Sequence, residues 1–565
     1  MIKIISFHKS LSIFLTLSSA TIFGQNSLLL DVKKNAAISS TETFQAINNG
    51  NLTINPGARI IIFKNALLTV ENKITNKGDG ENFIIESDGN LIQTNGTVNN
   101  NIGSVKARRQ VIDVKNSFDT NKHMDYIYWS SPVAAQGLRT FSPGTPYNRI
   151  YKYNETNDYF NPVNLTAEPN FIAAKGYAFR AEDGQIYNYT KTYDFKGVPN
   201  NGDYSIPIQR SPDQGLVQHG YNMVGNPYPS NMSFDALYAA NNGTVFKTAW
   251  FWVNDDFTYY QSGNGYVGNG YAVYNGTGGN NGTDNGTDNN PDRIKAPNGI
   301  IKVGQGFIIQ MKHQLPGNTL STAVLNFNNG MRVKDAGQFY SKNADQKDRY
   351  WIKLVSPTAI TNTILVGYVP GSTTNFEQDF DAESFGLSSD LLYSNLESRR
   401  LVIQGRGQFS SDDQVEIGAN FFASGAYTIS LMTAEGVFAN GQSIYLKDKQ
   451  KGVITKLSEG SYTFEATKGE VNGRFEIIYQ PETVLATDTK TKEGLVVYRD
   501  GDHFKVQAKY HKITNLDVFD SSGRLVYSLV PNSLQVIIPA DKLVNGLYLL
   551  KINQGGVITS KKILK

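Results

Sequence analysis

At 565 residues the chain is too long for one hydrophobic core, and its composition of 40% hydrophobic and 18% charged residues with 52 Gly, 31 Tyr and 30 Phe excludes general disorder. The formal charge is +3, and removal of Lys3 and Lys9 with an N-terminal signal leaves 51 basic against 50 acidic residues; no global field draws nucleic acid or anionic lipid. The absence of cysteine excludes thiol catalysis, thiolate-bound zinc and disulfides.

Residues 1–24 read as a secretory signal: a positive start, an apolar run over 11–17, and Gly24 before Gln25. The run is broken by Ser18, Ser19 and Thr21 and is short for a bilayer span. No other apolar stretch of the sequence reaches the length of a membrane span. From 25 to 109, short strands recur every ten or so residues (52–54, 59–63, 67–70, 82–86, 90–93) with Asn49-Gly50 and Asn95-Gly96 turns. That rhythm predicts a β-repeat region, solenoid-like or a small meander, acting as a cap or stalk.

Residues 110–335 form a larger β-domain with signs of internal duplication. Tyr126-Ile-Tyr-Trp-Ser-Ser-Pro132, Lys175-Gly-Tyr-Ala-Phe179 and Phe195-Lys-Gly197 are followed in the same order by Tyr221-Asn-Met-Val-Gly-Asn-Pro227, Gln305-Gly-Phe-Ile-Ile309 and Phe327-Asn-Asn-Gly330. The prolines of Val224-Gly-Asn-Pro-Tyr-Pro-Ser230 fix a loop and forbid a central strand there. From 336 to 480 the period is two: Tyr350, Ile352 and Leu354 share a face, as do Tyr427, Ile429 and Leu431, and Phe475, Ile477 and Tyr479. Seven or more such strands predict a β-sandwich. The polar stretch 481–492 is a linker suited to processing.

The last region, 493–565, alternates as a small antiparallel sandwich with a hairpin turn at Ser521-Ser522-Gly523, and Leu543, Gly546 and Tyr548 have the spacing of a tyrosine corner. Asp520-Ser-Ser-Gly-Arg-Leu-Val-Tyr527, Gly546-Leu-Tyr-Leu-Leu-Lys-Ile552 and the lysine-rich end Lys561-Lys-Ile-Leu-Lys565 closely resemble the type A C-terminal sorting domain of type IX secretion substrates. On that resemblance Gly523, Arg524, Gly546, Tyr548, Lys561 and Lys562 carry the sorting signal. It implies an Ig-like fold, export across an outer membrane through the type IX machinery, removal of the domain, and surface attachment, with lipopolysaccharide as an anchor, or release. The 224–230 run resembles a signature of adhesin-like substrates of the same route. Gly425-Ala-Tyr-Thr-Ile-Ser430, Ile444-Tyr-Leu-Lys-Asp-Lys449 and Arg474-Phe-Glu-Ile-Ile-Tyr479 resemble the domain that precedes the sorting domain in such proteins.

No chemistry-bearing motif stands out. His123, His219, His313, His503 and His511 show no metal spacing, and neither a nucleophile elbow nor a phosphate loop is present. Asp255 and Asp256 beside Trp250 and Trp252 read as a hairpin turn before they read as a hydrolase pair. Asp284, Asp288 and Asp292 recur four apart in an Asn-Gly-Thr-Asp loop, the weak calcium candidates of the chain, without the spacing of an EF-hand. Glu377, Asp379, Asp381 and Glu383 read as turn chemistry. Trp129, Trp250, Trp252, Tyr259 and Tyr260 are candidate platforms for sugar rings, set against the bland reading of core aromatics. The expectation is an all-β, multidomain, exported protein without catalytic residues or a cofactor other than calcium, serving adhesion or glycan and matrix binding. A polysaccharide-active enzyme or accessory subunit, and a structural surface-layer component, are the alternatives.

Overall fold

The computed structural model describes residues 21–24, 27–30, 35–38, 45–97, 100–114, 125–184, 189–215, 217–253, 270–284, 296–314, 318–334, 347–385, 389–480 and 495–565. Residues 1–20 of the expected signal, the 481–492 linker, His123, Asp255, Asp256, Tyr259, Tyr260, Asp288 and Asp292 lie outside them, as does the side chain of Asp284. The chain divides into two compact units: the first runs to residue 344 apart from 284–289 and takes in 378–382, and the second holds the remainder to 565.

The first unit opens with ten strands of three or four residues. These are β1 (Thr21–Gly24), β2 (Ser27–Leu30), β3 (Asn35–Ile38), β4 (Gln45–Asn48), β5 (Asn51–Ile54), β6 (Arg59–Ile62), β7 (Leu67–Val70), β8 (Ile74–Asn76), β9 (Phe83–Ile85) and β10 (Asn90–Gln93). All pairing among them is parallel, in three sheets ordered β1-β4-β7-β10, β2-β5-β8 and β3-β6-β9. Thr21 pairs with Gln45, Gln45 with Leu67 and Leu67 with Asn90, so the chain returns to each sheet every 22 to 24 residues. A strand this short directs only one or two side chains to any one face, and Leu52, Ile54, Ile60, Ile62, Leu68, Val70, Ile74 and Leu91 line one interior. Corners are closed by buried amides: Asn76 Nδ2 donates to the carbonyls of Asp79 and Ser104, both at 2.7 Å.

Strand β11 (Val105–Val114) spans the expected boundary at Arg109. It pairs parallel to β9 on one side and antiparallel to β16 on the other. Two similar layers then follow. The first contains β12 (Tyr126–Trp129), helix α1 (Leu138–Phe141), β13 (Ile150–Asn154), β14 (Tyr159–Pro162), β15 (Tyr177–Arg180) and β16 (Tyr189–Gly197). The second contains β17 (Tyr204–Arg210), β18 (Tyr221–Gly225), β19 (Asn231–Ser233), helix α2 (Phe234–Asn241), β20 (Val245–Trp252), β21 (Tyr271–Asn275), the short β22 (Gly279–Asn280), β23 (Thr283–Asp284) and β24 (Ile300–Ile301), then β25 (Gly306–Met311) and β26 (Ser321–Phe327).

The sheet β12-β15-β13-β14 has the same order as β18-β25-β20-β21, and the pair β11–β16 matches β17–β26. Register agrees residue by residue: Trp129 faces Tyr177 as Val224 faces Phe307, and Tyr151 faces Ala178 as Trp250 faces Ile308. The contacts between the layers are reciprocal. Ser130 N–H donates to the Gly304 carbonyl at 2.9 Å and Gly225 N–H to the Ala174 carbonyl at 2.8 Å. Gly304 and Ala174 both have positive φ, 77° and 65°, a conformation that costs Ala about 1 kcal/mol or more.

In the second unit ten strands follow one another in a single sheet. In sheet order they are Val453–Lys456, Tyr445–Asp448, Gly469–Ile478, Gln414–Phe421, Leu391–Leu396, Arg399–Arg406, Thr361–Tyr368, Asp348–Val355, Gly425–Glu435 and Tyr462–Ala466. The sheet folds over on itself, so the layers of this sandwich are two parts of one sheet: Phe464 and Phe475 meet across the core with ring centres 4.9 Å apart. The inward rows are those that the period of two marks, with Tyr350, Ile352, Tyr427, Ile429, Phe475 and Ile477 fully buried. The chain ends in two smaller sheets with their own core of Val497, Phe504, Val506, Leu516, Val518, Ile538, Leu550, Ile552 and Ile563.

Candidate functional site

The C-terminal sheets are built around two turns. In the hairpin between Asn515–Asp520 and Leu525–Leu529, Asp520 Oδ1 accepts from the N–H groups of Ser522 and Arg524, each at 3.0 Å, and Oδ2 from Arg524 Nε at 3.0 Å. The Ser522 hydroxyl and these donors hold the Asp520 carboxyl down at about 2, and Gly523 supplies the positive φ of 82° that closes the turn. Before the strand Leu547–Gln554, the Tyr548 hydroxyl donates to the Val544 carbonyl and accepts the Val544 N–H, both at 2.9 Å. This is the tyrosine corner that the spacing predicts. The last strand, Val557–Leu564, places Lys561 opposite Leu550 and Lys562 opposite Leu549, and Lys565 Nζ bonds the Leu543 carbonyl. Gly523, Arg524, Gly546, Tyr548, Lys561 and Lys562 thus lie on one small domain, with Arg524 80% exposed.

A second corner escaped the sequence reading. The single Tyr427 hydroxyl proton is shared between the Ala423 carbonyl at 2.9 Å and Asp390 Oδ1 at 2.8 Å. Its signal was in the chain, since Ala423-Ser-Gly-Ala-Tyr427 repeats the spacing of Val544-Asn-Gly-Leu-Tyr548.

One set of aromatics of the first unit lies between its two layers, while Trp129 packs with Phe141, Tyr193 and Phe195 in the core shared with the N-terminal strands. Tyr153 and Phe160 meet at 5.1 Å and 74°, and their counterparts Trp252 and Tyr271 also at 5.1 Å and 74°. Tyr126–Tyr151 is likewise matched by Tyr221–Trp250. Tyr128 stacks on Trp252 at 6.0 Å and shares a hydrogen bond with the Tyr271 hydroxyl at 2.8 Å. Trp129 is 2% and Trp250 4% exposed, so their ring faces are occupied by the protein and not presented as platforms. Sequence alternation could not show this, because it does not say which face of a strand another layer covers.

The charged groups that sequence reasoning marked are dispersed among structural partners. Asp379 accepts the Lys247 N–H at 2.6 Å and the Tyr238 hydroxyl at 3.1 Å, Glu377 accepts the Thr373 N–H at 2.6 Å, and Glu383 pairs with Arg399 at 3.0 Å. His219 bonds Asp158, while His313 and the fully buried Arg210 both meet Asp213. His503 and His511 are exposed. Among the described residues no group of three or more His, Asp or Glu could hold a metal ion, and no helix is long and apolar enough to cross a membrane. A deeply buried ionic cluster lies in the second unit. Asp448, with its side chain fully buried, accepts from Arg474 at 2.7 and 3.0 Å, from the Tyr462 hydroxyl at 2.8 Å and from two backbone N–H groups, and the Arg474 bonds hold its carboxyl down against the cost of burial.

Residues 24–479 match a family described as a domain of unknown function (DUF8693). The chain belongs to that family. Residues 501–565 match the secretion system C-terminal sorting domain. The DUF8693 protein therefore carries a type IX sorting domain and is exported across the outer membrane to the cell surface or beyond, with the type IX machinery as a partner. It is also similar to the minor fimbrium subunit Mfa5 of Porphyromonas gingivalis, 22% identical over 548 residues covering 89% of this chain and 40% of the relative. The chain thus spans well under half the length of that relative. The sorting domain and the similarity to a fimbrium subunit agree with an adhesin-like surface protein.

Proposed function

We propose that this DUF8693 protein acts at the cell surface as a non-catalytic subunit for adhesion or for glycan and matrix binding. The observation that carries the reading is the sorting domain joined to a chain that aligns over 89% of its length with a protein named as a minor fimbrium subunit. The geometry is in keeping with it. The carboxylates described above are engaged by Arg, His, Tyr or backbone donors, and the parallel pairing of the short N-terminal strands supports reading that region as a solenoid-like stalk. Contact by ring stacking falls to exposed rings such as Tyr147 and Tyr159, 71% and 65% exposed, and not to Trp250.

The test is a thermal-shift screen of the chain against polysaccharides, with and without calcium, with reducing-sugar release followed in the same wells. A ligand at 100 times its Kd adds about 2.7 kcal/mol, so binding raises the melting point. A shift without sugar release is expected. Sugar release would overturn the non-catalytic reading, and silence toward every glycan and calcium would favour the structural surface-layer alternative.

A further inference from the structure

The two layers of the first unit differ at one edge. Arg109 faces Tyr193 and Ile206 faces Leu325, and Tyr193 and Leu325 hold the same place in their layers, so Gln110 and Pro207 are counterparts. In the first layer the outward edge of β11 is covered. Ile84 and Ile85 run parallel to Lys106 and Ala107, the Ser87 hydroxyl accepts the Gln110 N–H at 2.5 Å, and Glu86 pairs with Arg108 at 2.8 Å. In the second layer β17 pairs with β26 alone among the described strands. One end of its free edge is stoppered by Asn222, whose side chain takes both the N–H and the carbonyl of Gln209, at 2.9 and 2.8 Å. Pro207 offers a carbonyl and no N–H, which blunts the edge against indiscriminate pairing.

Beside this edge lies a cavity of about 250 Å³, walled by Ile172, Ile206, Ile208, Met223 and Val224. Ile172 stays 45% exposed on its rim. Glu155 also lines the cavity; Lys175 beside it is paired with Glu168 at 3.4 Å, and Glu155 has no ion pair of its own among the described residues. Desolvation holds the Glu155 carboxyl above its ordinary range, against the smaller opposing pull of Lys175 and Lys152.

We propose that the free edge of β17 and its cavity receive an extended segment of another polypeptide, running parallel to β17, with an aliphatic side chain in the cavity and a basic group against Glu155. The internal counterpart supplies the occupant's chemistry: segment 83–88 already lies along the matching edge of β11, with Phe83 and Ile85 in the core and Ile84 and Ile85 paired parallel to the strand. Strand addition of this kind draws affinity from main-chain bonds and specificity from alternate side chains.

The probe is a labelled peptide of residues 82–88, Asn-Phe-Ile-Ile-Glu-Ser-Asp, and the same peptide with Glu86→Lys, titrated into the full chain by fluorescence anisotropy. Saturable binding is expected, with the Lys peptide favoured about threefold, the size of a partly exposed ion pair. Ile172→Asp, whose melting point should match the parent, is expected to abolish binding of both peptides. Glu155→Gln should retain binding and erase the threefold preference, and amide exchange at Ser205 should slow when either peptide is present. Absence of binding up to about 1 mM, or binding indifferent to Ile172→Asp in a chain of unchanged melting point, overturns the proposal. The assay contains no glycan, so its outcome is separate from that of the adhesion reading.

Discussion

Replacing Asp448 by alanine leaves Arg474 buried without its counter-charge. Arg474 is 8% exposed, with its guanidinium 4.7 and 4.6 Å from the ring centres of Phe464 and Phe475, so no water shell can substitute for the carboxylate. The Tyr462 hydroxyl and the N–H groups of Gln450 and Lys451 lose their acceptor at the same time. Removing one partner of a buried pair costs about 3–5 kcal/mol. Because a chain of several cores does not unfold in one step, the assay is native-state hydrogen exchange of the strand Gly469–Ile478. A loss of 3 kcal/mol speeds its exchange by about 100-fold. The double variant Asp448→Ala with Arg474→Met should recover much of the loss, since it removes the unpaired charge and keeps an apolar stem between the two rings. A change of less than about tenfold for Asp448→Ala, or additive losses in the double variant, would refute the view that the cost lies in an uncompensated buried charge.

Other outcomes follow from the same structure. Tyr548→Phe and Tyr427→Phe should each cost about 1 kcal/mol, read as faster exchange in the strands Leu547–Gln554 and Gly425–Glu435, each without effect on the other. Glu470, held down at about 2 by Arg400, contributes stability that is present above its unfolded value near 4.3 and is lost as pH falls toward 2. Glu470→Gln should flatten that acid limb in a melting-point profile. Glu155 has the opposite sign: its folded carboxyl titrates above the unfolded one, so stability falls as pH rises through its range, and Glu155→Gln should raise the neutral-pH melting point. Gly103 has φ of 84°, and an added Cβ would sit 1.8 Å from the Asn76 carbonyl oxygen. Gly103→Ala should therefore cost at least about 2 kcal/mol, seen as earlier proteolysis of the N-terminal coils. Trp252→Ala, which opens the layer shared with Tyr128 and Tyr271, should cost about 3–5 kcal/mol of stability in thermal melts; an unchanged melting point would show that the ring is not part of the packing.

What the sequence determined by itself was local. The hairpin at Asp520 and the corner at Tyr548 are closed by residues within four positions of one another, and Gly, Asp and Tyr at fixed offsets leave the backbone little choice. The inward rows through Tyr350, Tyr427 and Phe475 followed from strand geometry, in which every second side chain shares a face. The order of the matching motifs in 110–335 was legible for the same reason, each being a short strand with its turn. Only the tertiary structure decided what depends on residues far apart in the chain. Trp250 became core because a second layer covers its face of β20, Asp448 acquired its ion pair 26 positions away at Arg474, and β17 has a free edge because among the described residues no segment comparable to 83–88 pairs with it. Alternation reports that a strand has two faces and two edges, but what lies against each is fixed by long-range packing, which leaves no periodic mark in the sequence.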